Sequence, residues 1–231
     1  MQNGKEVILA LDTSASPLLV GVHADGTRVS RRRKGIKQER LLFPVINEVL
    51  RASGSTLKEV KKICIVRGPG RFTGIRIALT FASMMQYLNH AQVYGATLFE
   101  ILRRQVEHSA AYRRFKEKNS QGALAVVLHA FREEYFLQIF DKESSGPLWL
   151  SREELLDRLM HYDKPLLLAG SDKNGESLAA LTENQYPLAA DKDCRVRPET
   201  LLALAQDDSC KQNALEPLYL KPARFELVIP Q

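Results

Sequence analysis

With 231 residues, 45% hydrophobic and 26% charged, the chain has an ordinary globular balance and enough length for one large domain or two small lobes. It holds no apolar run near the ~20 residues that cross a bilayer, and its three cysteines (Cys64, Cys194, Cys210) include no C-x-x-C pair. That spacing argues for reduced thiols in a cytoplasmic compartment rather than a disulfide framework.

The segment Met1–Glu6 runs straight into a strand-like stretch, so no signal peptide is expected. Val7–Asp12 reads as a buried strand, followed by the turn Ser14-Ala15-Ser16-Pro17 and a second strand, Leu18–His23. Asp25-Gly26 signals a hairpin into a third strand, Thr27–Lys34. From Glu39 to Arg51 the apolar residues Leu41, Leu42, Val45, Ile46, Val49 and Leu50 recur at helical spacing, with Pro44 inside the run and Ser53-Gly54-Ser55 closing it. A strand at Lys62–Val66 breaks at Gly68-Pro69-Gly70. A helix from about Thr73 to Leu88, a strand at Gln92–Gly95 and a helix from Leu98 follow. This order implies a mixed sheet covered by helices.

After a charged stretch at Arg113–Gln121, part of the order returns: strands at Ala123–His129, Glu134–Asp141 and Gly146–Leu150, a helix through Met160, and a strand at Leu166–Ala169. Ser151 and Glu154 form a capping-box signature at the start of that helix. Two three-strand–helix–strand units in tandem suggest an internal duplication and a division at 1–118 and 119–231. The last third is less regular.

Charge is distributed unevenly. The net value is +6, but residues 1–118 hold 21 Lys and Arg against 9 Asp and Glu, while 119–231 hold 12 against 18. Basic residues cluster at Arg31–Lys34, Lys37 and Arg40, and at Arg113, Arg114, Lys116 and Lys118. A one-sided positive field suits RNA or an acidic partner surface, and a solvated face is the plain alternative.

The sharpest local feature is Gly68-Pro69-Gly70-Arg71-Phe72-Thr73-Gly74 between a strand and a helix. Its glycines permit close backbone approach, Thr73 could cap the helix, and the helix start with Arg67, Arg71 and Arg76 nearby makes a candidate anion site. The Gly-Lys-Ser/Thr ending of a P-loop is absent, and a purely structural turn is the rival reading. Gly74, Ala78 and Ala82 recur every four residues on the following helix, beside Ile75, Leu79, Met84, Met85 and Leu88. Small residues so spaced admit a close helix neighbour, within the lobe or in a partner. Asp12-Thr13-Ser14 closes the first strand, where actin-like ATPases hold a phosphate-associated Asp. Capping of the turn is its ordinary explanation. The five histidines show no H-x-x-x-H pair, and there is no G-x-S-x-G elbow, so no metal or nucleophilic centre is expected.

The segments Ile8–Ser14, Glu39–Pro44, Arg67–Arg76 and Glu216–Leu220 fall in the order and spacing of the TsaB (YeaZ) family, and the chain resembles that family most closely over residues 7–97. The resemblance implies an actin-like (ASKHA, RNase H-like) α/β fold in two lobes and no catalysis by this chain alone. It further implies pairing with the catalytic paralogue TsaD in forming N6-threonylcarbamoyladenosine in tRNA, with the ATPase TsaE joining the pair and tRNA met through the complex. A homodimer is expected where TsaD is absent. No metal or cofactor is expected on this chain alone, and ATP or ADP at the interface of the complex is left open. The implied partner surface is the helix pair, carried by Leu42, Val45, Ile46, Val49, Gly74, Ile75, Arg76, Ala78, Leu79 and Ala82. Asp12, Thr13, Ser14, Gly68, Pro69, Gly70, Arg71 and Thr73 stand as the anion- or nucleotide-proximal set. Arg71, Ala78 and His129 depart from the family pattern. The alternative function is a stand-alone phosphotransferase or ATPase of the same fold, for which Ala169-Gly170-Ser171 would stand in for an adenosine-binding glycine pair.

Overall fold

The computed structural model describes residues 6–35, 37–142, 146–207, 210 and 215–221. Strands β1 (Val7–Asp12), β2 (Leu18–Ala24), β3 (Thr27–Arg33), β4 (Val60–Gly68) and β5 (Gln92–Thr97) form one sheet in the order β3-β2-β1-β4-β5. β1, β2 and β3 pair antiparallel, whereas β4 and β5 continue parallel to β1. β1 is buried along its whole length because both faces of the sheet are covered. Its odd residues, Val7, Leu9 and Leu11, enter a core with helices α1 (Gln38–Ala52) and α2 (Phe72–Asn89), and Ile8 and Ala10 enter a second core on the opposite face. This is the period-two alternation of a central strand. Helix α1 continues through the exposed Pro44, where the missing N–H costs one hydrogen bond on the solvent side.

The second core holds a helix that the sequence reading passed over. Helix α7 (Pro198–Gln206) places Leu201, Leu202, Leu204 and Ala205 against the β1 face carrying Ile8 and Ala10. For this reason the chain does not divide at 118/119. One compact unit joins Met1–Ile101 to Val196–Leu218, and the other joins Leu102–Arg195 to Tyr219–Gln231.

The second sheet runs β8-β7-β6-β9 and comprises β6 (Ala123–Phe131), β7 (Glu134–Phe140), β8 (Leu148–Ser151) and β9 (Leu166–Ser171). β6, β7 and β8 pair antiparallel and β9 lies parallel to β6. It therefore repeats the first four strands of the other sheet. Leu155 and Leu159 of α5 (Arg152–Met160) and Leu178 and Leu181 of the short α6 (Leu178–Leu181) close its core. The Ser151–Glu154 capping box forms as expected: Glu154 N–H donates to Ser151 Oγ at 3.2 Å and Ser151 N–H to Glu154 Oε2 at 2.7 Å. The charged stretch after α3 (Leu98–Glu107) is a further helix, α4 (Ala110–Lys118), capped by Ser109 and burying only Phe115. Two successive three-strand–helix–strand units of this order make an α/β protein of the actin-like, RNase H-like class. Among the described residues no helix is long and apolar enough to cross a membrane.

Candidate functional site

The glycine-rich turn is a joint of three backbone segments. Arg71 N–H donates to the Ser14 carbonyl at 2.7 Å, and Leu218 N–H to the Arg67 carbonyl at 2.7 Å. Gly68 has φ +128°, which only glycine adopts at ease, and a Cβ there would lie 2.6 Å from the Leu218 carbonyl oxygen. Gly74, in the first turn of α2, faces the Thr13 carbonyl so closely that any side chain would overlap it, and Thr13 Oγ–H donates back to the Gly74 carbonyl at 2.6 Å. Gly70 lies likewise against Ser14. These glycines admit neighbouring chain, and that packing accounts for their presence. The joint also explains why Arg67–Gly74, Asp12–Ser14 and the segment around Leu218 carry motifs together.

The expected capping by Thr73 does not occur. Helix α2 opens one residue earlier, at Phe72, with Arg71 at the N-cap and no side-chain cap bond. Thr73 is an exposed second residue. The Arg71–Ser14 bond sets where the helix starts. Arg71 and Arg76 are exposed, and no ligand-specific geometry links them to Asp12.

Asp12 is buried, and its Oδ1 accepts from both Ser14 N–H (2.9 Å) and Ser14 Oγ–H (2.6 Å). Burial raises its carboxyl pKa above the ordinary 3.8, and the Ser14 bonds oppose that shift. A carboxyl raised by folding favours the folded state fully below its unfolded pKa and loses that contribution as pH rises through the folded value. Asp12→Asn keeps an acceptor for Ser14 and removes the ionisation. We expect it to melt at or above the wild type at pH 7 and to flatten stability against pH from about 4 upward. A much lower melting point at pH 7 would show that the ionised carboxylate holds the turn. Burial also raises the thiols of Cys64 and Cys194, the direction opposite to nucleophile activation. Among the described residues no three His, Cys, Asp or Glu side chains converge.

The helix pair presents a different surface from the one the resemblance implied. Val45, Ile46, Val49, Gly74, Ile75, Ala78 and Ala82 are buried within their own unit, and Leu79 is half-buried against the same core. The small-residue row of α2 is how that helix sits on β4, so it cannot also meet a partner. Of the expected surface residues, Arg76 is exposed and Leu42 reaches the floor of a groove of about 450 Å³ between α1 and α2. The groove is lined chiefly by Phe43, Phe72, Ile77 and Met84, none of which was singled out for the implied partner surface, although Met84 was read as part of the apolar area of α2. Phe43 and Phe72 are 46% and 52% exposed, a large apolar area to leave in water. Phe43 meets Phe81 edge-on at 5.7 Å, and the Arg76 guanidinium lies 3.8 Å from the Phe72 ring centroid. Thr73, Arg76, Ile77, Thr80, Met84 and Tyr87 fall at i, i+3, i+4, i+7, i+11 and i+14, which puts a second stripe along α2 beside its buried face. That spacing was the available signal.

Comparison with known proteins places this surface in context. Residues 37–109, which contain α1 and α2 whole, match the family model described as TsaD: tRNA N6-adenosine threonylcarbamoyltransferase. The tRNA threonylcarbamoyladenosine biosynthesis protein TsaB of Buchnera aphidicola subsp. Baizongia pistaciae is 31% identical over 176 residues, 72% of this chain and 75% of that protein. The chain belongs to the TsaB family. The Escherichia coli TsaB is 23% identical over 230 residues, covering 93% of this chain and 94% of its own length. In fold, the chain is similar to YeaZ from Pseudomonas aeruginosa, with a TM-score of 0.66 at 23% identity over 93% of this chain and 100% of that one. Of the three departures from the TsaB pattern, Ala78 is core, Arg71 is the exposed N-cap of α2, and His129 meets Tyr135 edge-on at 5.5 Å.

Proposed function

We propose that the chain is an accessory subunit in tRNA threonylcarbamoyladenosine formation, which pairs with TsaD through the α1–α2 groove and leaves the transfer chemistry to that partner. The observation that carries this reading is the exposed aromatic groove, lying inside the one stretch of the chain that matches the TsaD model. A paralogue with the same helix pair offers a complementary apolar ridge, and burying Phe43 and Phe72 against it removes them from water. Without TsaD, a second copy of this chain would cover the same groove as a homodimer. TsaE and tRNA join through the assembled pair, and ATP or ADP, where needed, belongs at the interface of the complex.

A stand-alone phosphotransferase draws on residues already committed elsewhere. Asp12 Oδ1 is held by Ser14, and Gly170 lies against the Val127 carbonyl where a side chain would sit.

The test is sedimentation of the chain with TsaD for wild type and Phe72→Asp. Loss of a central aromatic contact costs about 2 kcal/mol or more, so pairing should weaken at least ~30-fold with an unchanged melt. Undiminished pairing would place the partner surface elsewhere.

A further inference from the structure

Beside the docking groove, on the next face of α1, lies a basic surface with a different occupant. Between residues 28 and 51 the sequence holds eight Lys and Arg but only two carboxylates, Glu39 and Glu48. Glu39 lines the apolar groove. Glu48 is shared by two arginines: Arg31 Nε donates to it at 2.6 Å and Arg33 at 2.8 Å. Strand register explains that pairing. Arg31 and Arg33 lie opposite Val20 and Leu18, whose side chains face α1, whereas Arg32 lies opposite Leu19 on the other face and donates to the Val196 carbonyl at 2.5 Å.

The β3 arginines are therefore partly used in fixing an edge strand to its neighbours, and charge on an edge strand also guards against strand addition. Neither reason applies to the cations that follow. Lys37, Arg40 and Arg51 are exposed and form no ion pair with a described carboxylate. Arg40, Asn47 and Arg51 fall at i, i+7 and i+11, which aligns them on the outward face of α1. Asn47 and Arg51 line a shallow depression with Pro44 and Glu48, the carboxylate that Arg31 and Arg33 hold. A pair of guanidiniums fixed on one doubly neutralised carboxylate, beside exposed cations, is complementary to a line of phosphates. Among the described residues no aromatic side chain lines the depression to stack a base, so the surface suits a sugar-phosphate backbone rather than base readout.

We infer that the outward face of α1, with Lys37, Arg40 and Arg51, is a contact for the phosphate backbone of tRNA in the assembled complex. This rests on the reading of the chain as a subunit of a tRNA-modifying assembly, and it adds that the accessory chain itself helps to hold the RNA. The groove and the basic face lie on adjacent sides of one helix, so a partner seated in the first leaves the second open.

The triple variant Lys37→Gln, Arg40→Gln, Arg51→Gln tests this without disturbing the Glu48 and Val196 ties. An in vitro transcribed tRNA is titrated against the full chain, alone and mixed with TsaD, from 50 to 200 mM salt. Each lost phosphate contact lowers the slope of log affinity against log salt by ~0.7 to 0.9, so the variant should flatten it by roughly 2 to 3. At 50 mM salt the variant should bind at least tenfold more weakly, with unchanged melting. The measurement on the chain alone reads the basic face even if the chain and TsaD fail to pair, which would sink only the accessory-subunit reading. An unchanged slope in both settings, or no tRNA binding in either, overturns the proposal. So does a variant that loses TsaD while keeping the tRNA slope, because the face would then be a protein contact.

Discussion

Gly74→Ala is expected to lower the melting temperature of the unit that contains it by roughly 6–12 °C, from about 3 kcal/mol of overpacking. On a solvent-facing helix the same change would be stabilising by ~1 kcal/mol through helix propensity, so the sign alone is diagnostic. The cause is the Thr13 carbonyl, which occupies the space a methyl group would need. Neither side of the contact can withdraw easily. Thr13 follows the fully buried β1 and is tied to the Gly74 carbonyl by its own hydroxyl, and the next turn of α2 is fixed in the core by Ala78. Thermal melts followed by circular dichroism measure this. A raised melting point would mean that α2 can shift away from the turn, and the three-segment joint would lose its main support.

Ala82→Arg is expected to unfold the same unit rather than to detach a partner. Ala82 has no exposed surface and lies in the core with Leu9, Ile46 and Val49. An arginine there adds a long side chain to filled space and buries an unpaired charge, together worth about 3–5 kcal/mol or more. Five residues on, Tyr87 is 82% exposed, and Tyr87→Arg should leave the melt within ~0.5 kcal/mol of wild type. Circular dichroism and sedimentation on the pair of variants separate core from surface. A folded Ala82→Arg protein would show that α2 presents its small residues outward after all.

The contrast shows where sequence reasoning ran out. The positions of α1 and α2 were legible because apolar residues recur at helical spacing, and both helices stand within two residues of expectation. Periodicity finds the buried face of a helix, however, and that face meets the helix's own sheet. The groove-lining residues lay in a second, weaker pattern, with Thr73, Arg76 and Thr80 diluting Ile77 and Met84. Strands β1, β2 and β4 were legible as short apolar runs, and β3 from the Asp25-Gly26 hairpin. Helix α4 was hidden by composition, since six of its nine residues are charged or tyrosine and only Phe115 is buried. Helix α7 carried its signal in Pro198 at the first turn and in Leu201, Leu202 and Leu204, but its role depends on a sheet more than a hundred residues earlier. No local window contains that relation.

The return of α7 to the first sheet also reorders the birth of the protein. Translation delivers β1 to β5 first, yet the face of that sheet bearing Ile8, Ala10 and Leu19 lacks its cover until Leu201 to Ala205 have been synthesised. Most of the other unit, residues 102–195, has been synthesised before then, and its closing segment from Tyr219 comes after. A nascent chain emerging from the ribosome can therefore assemble the second sheet before the first is covered, holding one apolar sheet face open meanwhile. Chains stalled or cleaved before residue 198 should be the aggregating species, and a chaperone that shields exposed strands should be found on them.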